Sequence, residues 1–167
     1  MLLVSEQPYN VLFLCTGNSA RSIMAEAILH HLGRGRFMAY SAGSHPTGTV
    51  HPLAIETLQH MQLPVDGLRS KSWEEFARPD APQLDFLFTV CDNTAGEVCP
   101  IWSGKPITAH WGVADPAAFQ GPAEEKRQRF HEVALILYRR IEQFLSLPIA
   151  TLDAMTMQAT LKDIGQH

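Results

Sequence analysis

Val11, Leu12, Phe13 and Leu14 run together without a polar break, and the small residues Cys15-Thr16-Gly17-Asn18-Ser19-Ala20 follow directly. Four consecutive apolar positions predict a strand buried on both faces. The period then changes: Ile23, Met24, Ala27, Ile28 and Leu32 form one stripe of a helix that begins near Ser19 and stops at Gly33. Phe37-Met38-Ala39-Tyr40-Ser41-Ala42 predicts a second strand, broken by the turn-forming run Gly43-Ser44-His45-Pro46-Thr47-Gly48. Pro52 opens a helix carrying Leu53, Ile55, Leu58 and Met61, which must end by Leu63 because Pro64 follows. Ser72 and Glu75 have the spacing of a capping box at the head of a short helix. Residues 84–90 predict a third strand running straight into Cys91, and residues 105–111 a weaker fourth. Pro122 opens a long helix with Phe130, Val133, Ala134, Leu137, Ile141, Phe144 and Leu145 on its apolar stripe. Glu124 and Glu125 at its start, and Arg139 and Arg140 towards its end, suit the helix dipole.

Strands that alternate with helices predict an α/β fold of three layers, a four-stranded parallel sheet flanked by helices on both faces. Parallel strands bring Cys15, Cys91 and the loop carrying Asp115-Pro116 to one carboxyl edge, where such sheets bind ligands. After Leu147-Pro148 the helical spacing resumes with Leu152, Met155, Ala159 and Ile164, with Thr151 as its cap and Gly165 as its end. A lone helix of that length is marginal in water, so it needs a surface, either its own domain or a second subunit. The organisation expected is therefore a core domain over residues 1–146 and a C-terminal helical extension over 147–167.

Composition narrows the function classes. The chain has 167 residues, of which 46% are hydrophobic, enough for one ample core. A formal charge of −4 gives no electrostatic case for nucleic acid or an anionic membrane surface. No apolar run reaches the length of a membrane span, and the first residues lack the charge and apolar core of a secretory leader. Three cysteines are too few for a disulfide scaffold, and the expectation is a cytoplasmic protein with reactive thiols.

Cys15 is the residue with the most chemistry. It stands at the carboxyl end of a strand and faces the start of a helix, where backbone N–H groups converge on an oxyanion and favour thiolate over thiol. An acidic, reactive Cys15 is therefore expected. Arg21, six positions on, offers a planar fork for two oxygens of the bound anion. Thr16, Gly17, Asn18, Ser19, Ala20, Arg21 and Ser22 form the expected oxyanion cradle.

With these residues in place, Cys15-Thr16-Gly17-Asn18-Ser19-Ala20-Arg21-Ser22 resembles the signature loop of the low-molecular-weight protein tyrosine phosphatase superfamily, and Asp115-Pro116 is similar to its general-acid loop. His110-Trp111-Gly112, together with Cys91 and Cys99, resembles the phosphatase-like arsenate reductase branch. The resemblance covers about residues 8–146, leaving the C-terminal helix as an extra. Ala20 stands where many members carry a second cysteine, so a disulfide within the loop is excluded. Cys91 and Cys99 are eight positions apart, one more than in those reductases.

What the resemblance implies is a low-molecular-weight phosphatase-like fold and, as activity, reduction of arsenate to arsenite. Cys15 attacks arsenate with Asp115 as acid, Cys91 attacks the Cys15 sulfur, and Cys99 passes the disulfide to an external reductant. The reductant is thioredoxin, glutaredoxin with glutathione, or another low-molecular-weight thiol, and phosphate is the competing oxyanion. Asn18, Glu26 and Ser41 resemble positions that hold potassium in some reductases; Lys71 can replace that cation, and no metal or bound cofactor is assigned. A phosphotyrosine phosphatase is the first alternative, against which Ala117-Ala118-Phe119 stands where phosphatases place tyrosines. A non-catalytic oxyanion binder is the second, against which the acid Asp115 argues, since a binder needs none.

Overall fold

The computed structural model describes residues 7–91, 100 and 102–167. Four strands, β1 (Tyr9–Cys15), β2 (Phe37–Gly43), β3 (Phe86–Thr89) and β4 (Ile107–His110), form one sheet in the order β2-β1-β3-β4. Every pairing is parallel, and the register sets Cys15 opposite Gly43 and Leu14 opposite Thr89. Among the described residues four α-helices accompany it: α1 (Arg21–Leu32), α2 (Pro52–His60), α3 (Ala123–Leu145) and α4 (Ala154–Ile164). The expected four-stranded parallel α/β sheet flanked by helices is the observed one. The connections are long enough to return each chain to the same end, which parallel pairing requires.

Alternation along β1 divides the core. Val11 and Phe13 point to a large cluster shared with α1, α2, α3 and α4, while Leu12 and Leu14 point to a smaller one with Leu87 and Phe76. Both sets are fully buried, which is why the strand has no polar break. At the centre of the large face Phe88 stacks on Trp111 at 3.9 Å and on Phe13 at 5.6 Å. Each such buried side chain contributes roughly 1.5–3 kcal/mol. The smaller face is covered by a 3₁₀ turn (Trp73–Phe76) and by Trp73 packed edge-on against Trp102.

Local capping departs from the sequence expectation in three places. Helix α1 starts at Arg21, two residues after Ser19, and its N-cap Ala20 makes no side-chain bond. Ser72 Oγ accepts from the Glu74 N–H, but the reciprocal half of the box is missing, because both Glu75 oxygens accept from Arg69 at 2.7 and 3.0 Å. In the tail, Asp153 rather than Thr151 caps α4, its Oδ1 accepting from the Thr156 N–H at 2.7 Å; Thr151 closes a short 3₁₀ turn instead.

Helix α4 lies against β4. Met157, Leu161 and Ile164 are buried there, Met155 faces outward, and the Leu161 carbonyl accepts the Trp111 indole N–H at 2.9 Å. Gly165 passes so close that a Cβ would collide with the His110 carbonyl and stand 2.7 Å from Trp111. No helix among the described residues is long and apolar enough to cross a membrane.

Candidate active site

The loop after β1 is turned inside out by its neighbours. The carbonyls of Cys15, Thr16, Gly17 and Ser19 accept backbone N–H groups of Ser44, His45, Thr47 and His51, at 3.3, 2.9, 3.0 and 2.9 Å. With its carbonyls held outward by residues 44–51, the loop is left to aim N–H groups inward, which is the requirement for cradling an oxyanion. Gly43 makes the closure possible: a Cβ there would meet the Thr16 carbonyl at 2.5 Å and Asn18 at 3.0 Å.

Asn18 adopts a left-handed backbone with φ of 47°, a conformation asparagine tolerates better than most residues. Its side chain is wholly buried and points beneath the loop. Nδ2 donates to Ser22 Oγ at 2.8 Å and to Ser41 Oγ at 3.0 Å, and Oδ1 accepts from the Lys71 N–H at 2.8 Å. Asn18 is thus a pin tying the loop to α1, β2 and the segment before the 3₁₀ turn.

Below that pin lies a buried charge pair. Ser41 Oγ donates to Glu26 Oε1 at 2.5 Å, and the Lys71 ammonium stands 3.7 Å from the same oxygen, with side chains 8% and 16% exposed for Lys71 and Glu26. Burial pushes the Glu26 carboxyl up and the Lys71 amine down, each resisted by the other's charge. Lys71 therefore supplies a cation from the protein itself beside Asn18, Ser41 and Glu26. Among the described residues no group of three or more histidine, cysteine or acidic side chains is arranged to hold a metal. Lys71→Met is expected to destabilise the fold by up to about 3 kcal/mol at pH 8 and by less at a lower pH at which Glu26 is protonated. The Glu26 pKa is raised in the fold, so the carboxyl is neutral at low pH and needs Lys71 only once it ionises as pH rises. Urea denaturation at the two pH values checks this, and an equal loss at both would refute it.

Cys15 is 3% exposed, and the Arg21 charge acts on it. Arg21 Nη2 lies 3.6 Å from Asp115 Oδ2, and Arg21 Nη1 donates to the Val113 carbonyl at 3.2 Å, so one guanidinium spans the cradle and the acid loop. Asp115 Oδ1 also caps a 3₁₀ turn (Pro116–Ala118), accepting from the Ala117 N–H at 3.0 Å. The carboxylate expected as the acid is thus also a turn former.

Cys91, also buried, lies closer than the sequence indicated. The Thr16 N–H donates to Cys91 Sγ at 3.2 Å, and Thr16 Oγ1 is 3.5 Å from it. Cys91 Sγ thus takes up an N–H of the very loop expected to bind an anion. The expected acidity of Cys15 needs correction on this point. Its pKa is pushed far up, first by the hydrogen bond with Cys91 and then by burial, against the opposing pull of Arg21 and the Thr16 amide. A neighbouring thiol that holds the proton outweighs the loop's field. Cys99 lies outside the described residues.

His51 takes a structural part beside the site. Its Nδ1 accepts from the Leu53 N–H at 3.0 Å, capping α2, while its ring packs on Phe130 at 4.8 Å. A polar residue immediately before Pro52 was the available signal. His45 is exposed at the rim. A groove of 660 Å³ between α2 and α3, lined by Glu56, His60, Arg127 and His131 among others, contains none of the residues around Cys15.

A buried thiol in an inward-facing amide loop, answered by an aspartate across one sheet edge, defines the class of cysteine-dependent phosphatase folds. Within that class the chain belongs to the family described as low molecular weight phosphotyrosine protein phosphatase, which matches residues 10–158. It is 32% identical over 135 residues to an arsenate reductase of Shouchella clausii, covering 80% of this chain and 93% of that protein. Among solved structures it is similar to an arsenate reductase in the reduced state (26% identity, TM-score 0.64, 83% of this chain and 97% of the other). It is equally similar to one in the oxidized state (25% identity, TM-score 0.65, 80% and 94%).

Proposed function

We propose that this protein is an arsenate reductase working through paired cysteines. The reading is carried by Cys91 Sγ seated on the Thr16 amide at 3.2 Å, on the residue next to Cys15 in the expected oxyanion loop. A phosphatase needs one nucleophile, whereas a two-electron reduction needs a second thiol within reach of the first. The relatives named arsenate reductase support the same choice.

Arsenate entering the cradle displaces Cys91 Sγ from the Thr16 amide and takes up Arg21. With the Cys91 contact broken, the cause that most strongly holds the Cys15 proton is gone. The Cys15 thiolate then attacks arsenic(V), and the departing hydroxide leaves as water with a proton from Asp115. Cys91 attacks Cys15 Sγ; the sulfur–arsenic bond breaks with its electron pair remaining on arsenic, and arsenite leaves as arsenic(III). Two thiols have become one disulfide, balancing the two electrons. Cys99 then resolves the Cys15–Cys91 bond, and thioredoxin, glutaredoxin or a low-molecular-weight thiol returns the pair to thiols in the reducing cytoplasm.

Arsenate-dependent NADPH consumption, run with each thiol system in turn, tests this directly. One of them should sustain turnover, phosphate should compete with arsenate, and failure of all would reject the reading in favour of phosphotyrosine hydrolysis. Asp115→Asn, which keeps the shape and removes the acid, should slow the reaction by about 10²–10⁴. Full activity in that variant would assign the proton to another group.

A further inference from the structure

Arg140, expected from the sequence to suit the dipole near the end of α3, belongs to the buried side of that helix. It is 7% exposed, and burial lowers its pKa. Its guanidinium is spent on backbone carbonyls. Nη1 donates to the Trp111 carbonyl at 2.8 Å and to that of Gly112 at 3.2 Å, and Nε donates to the His167 carbonyl at 3.3 Å. The next carbonyl along, Val113, accepts from Arg21. Three successive carbonyls at the root of the Asp115 loop are thus held by two arginines, one of which also faces the Asp115 carboxylate.

The N–H side of the same segment is anchored to the sheet, Trp111 to the Thr89 carbonyl at 2.7 Å and Val113 to that of Val90 at 3.1 Å. The Trp111 ring is fixed by α4 through Leu161. Residues 111–113 therefore have no slack on either side, and Asp115 lies two residues further on. Remove Arg140, and one buried and one part-buried carbonyl lose this donor while the tail loses its bond to the same point.

We propose that Arg140 is a positioning residue for Asp115, bracing the root of its loop between α3 and the C-terminal tail so that Asp115 and Val113 meet Arg21 in register. The proposal rests on Asp115 acting as the acid in the reading above. Misplacement of a reacting group by about 1 Å can cost on the order of 10²-fold in rate, so a brace remote from the thiols can govern the chemical step.

The test uses the reduced full chain in single turnover, one arsenite per protein, which removes the electron donor from the measurement. Arg140→Met should lower the maximal rate by about 10- to 100-fold with half-saturation by arsenate little changed. Amide hydrogen exchange over residues 111–115 should accelerate. Alkylation of Cys15 by iodoacetamide, a reaction that needs no acid, should stay within about twofold of wild type. Combined with Asp115→Asn, Arg140→Met should add nothing further, and Arg140→Lys should recover part of the rate. An unchanged rate, a loss that multiplies with that of Asp115→Asn, or a parallel fall in alkylation would overturn the proposal. If Arg140→Met does not fold, Arg140→Lys carries the test, with smaller changes in the same direction in rate and exchange. If Asp115→Asn alone keeps full rate, the acid assignment fails by itself. Unchanged exchange at 111–115 would then overturn the brace as well, and faster exchange would support it.

Discussion

Cys15→Ser is expected to abolish arsenate reduction and any hydrolysis of an aryl phosphate together while leaving the fold intact. Serine matches the thiol in shape at a buried position, so packing around Phe13 and α1 should survive. The hydroxyl is a far weaker acid than a thiol, and the fields of Arg21 and the Thr16 amide cannot ionise it near neutral pH. Both chemistries begin with attack by this one atom, so they should fall together. Arsenite production, aryl phosphate hydrolysis and circular dichroism on the same preparation check the claim. Substantial turnover of either substrate would displace Cys15 from the centre of the mechanism.

Replacing Cys91 should separate what Cys15 cannot. Cys91→Ser is expected to stop multiple-turnover arsenate reduction, because the thiol seated beside the loop to attack the Cys15 sulfur is gone. Hydrolysis of an aryl phosphate, which ends with water, should be nearly unchanged. Wild-type reduction rates in that variant with every donor would make Cys91 a bystander. A second consequence concerns acidity. The hydrogen bond to Cys91 is the first cause holding the Cys15 proton, ahead of burial. Cys91→Ala removes it and leaves burial opposed by Arg21 and the Thr16 amide, so Cys15 should ionise at lower pH. The pH profile of Cys15 alkylation should shift to lower pH, and inorganic phosphate should bind more tightly once Cys91 Sγ no longer takes the Thr16 N–H. An unshifted profile would mean the two thiols do not share the proton.

The strand, the small-residue loop, the helix behind it and the order Cys15, Arg21, Asp115 were legible because they rest on local signals. Apolar runs and stripes declare their period within a dozen residues, and parallel strands with helical returns must deliver their loops to one edge. Other features depend on groups far apart in the chain. Which strand lies beside β1 decides that Cys91 meets Thr16, a contact across 75 positions. The Cys91 side chain and burial oppose the acidity expected from the loop alone, against the pull of Arg21 and the Thr16 amide. The outward pull of residues 44–51 on the loop carbonyls, the capture of Glu75 by Arg69, and the burial of Arg140 against the Asp115 loop follow the same rule. Periodicity assigns a residue to a face, but its partner there is set by how the layers dock, and charge and hydrogen bonding depend on that partner.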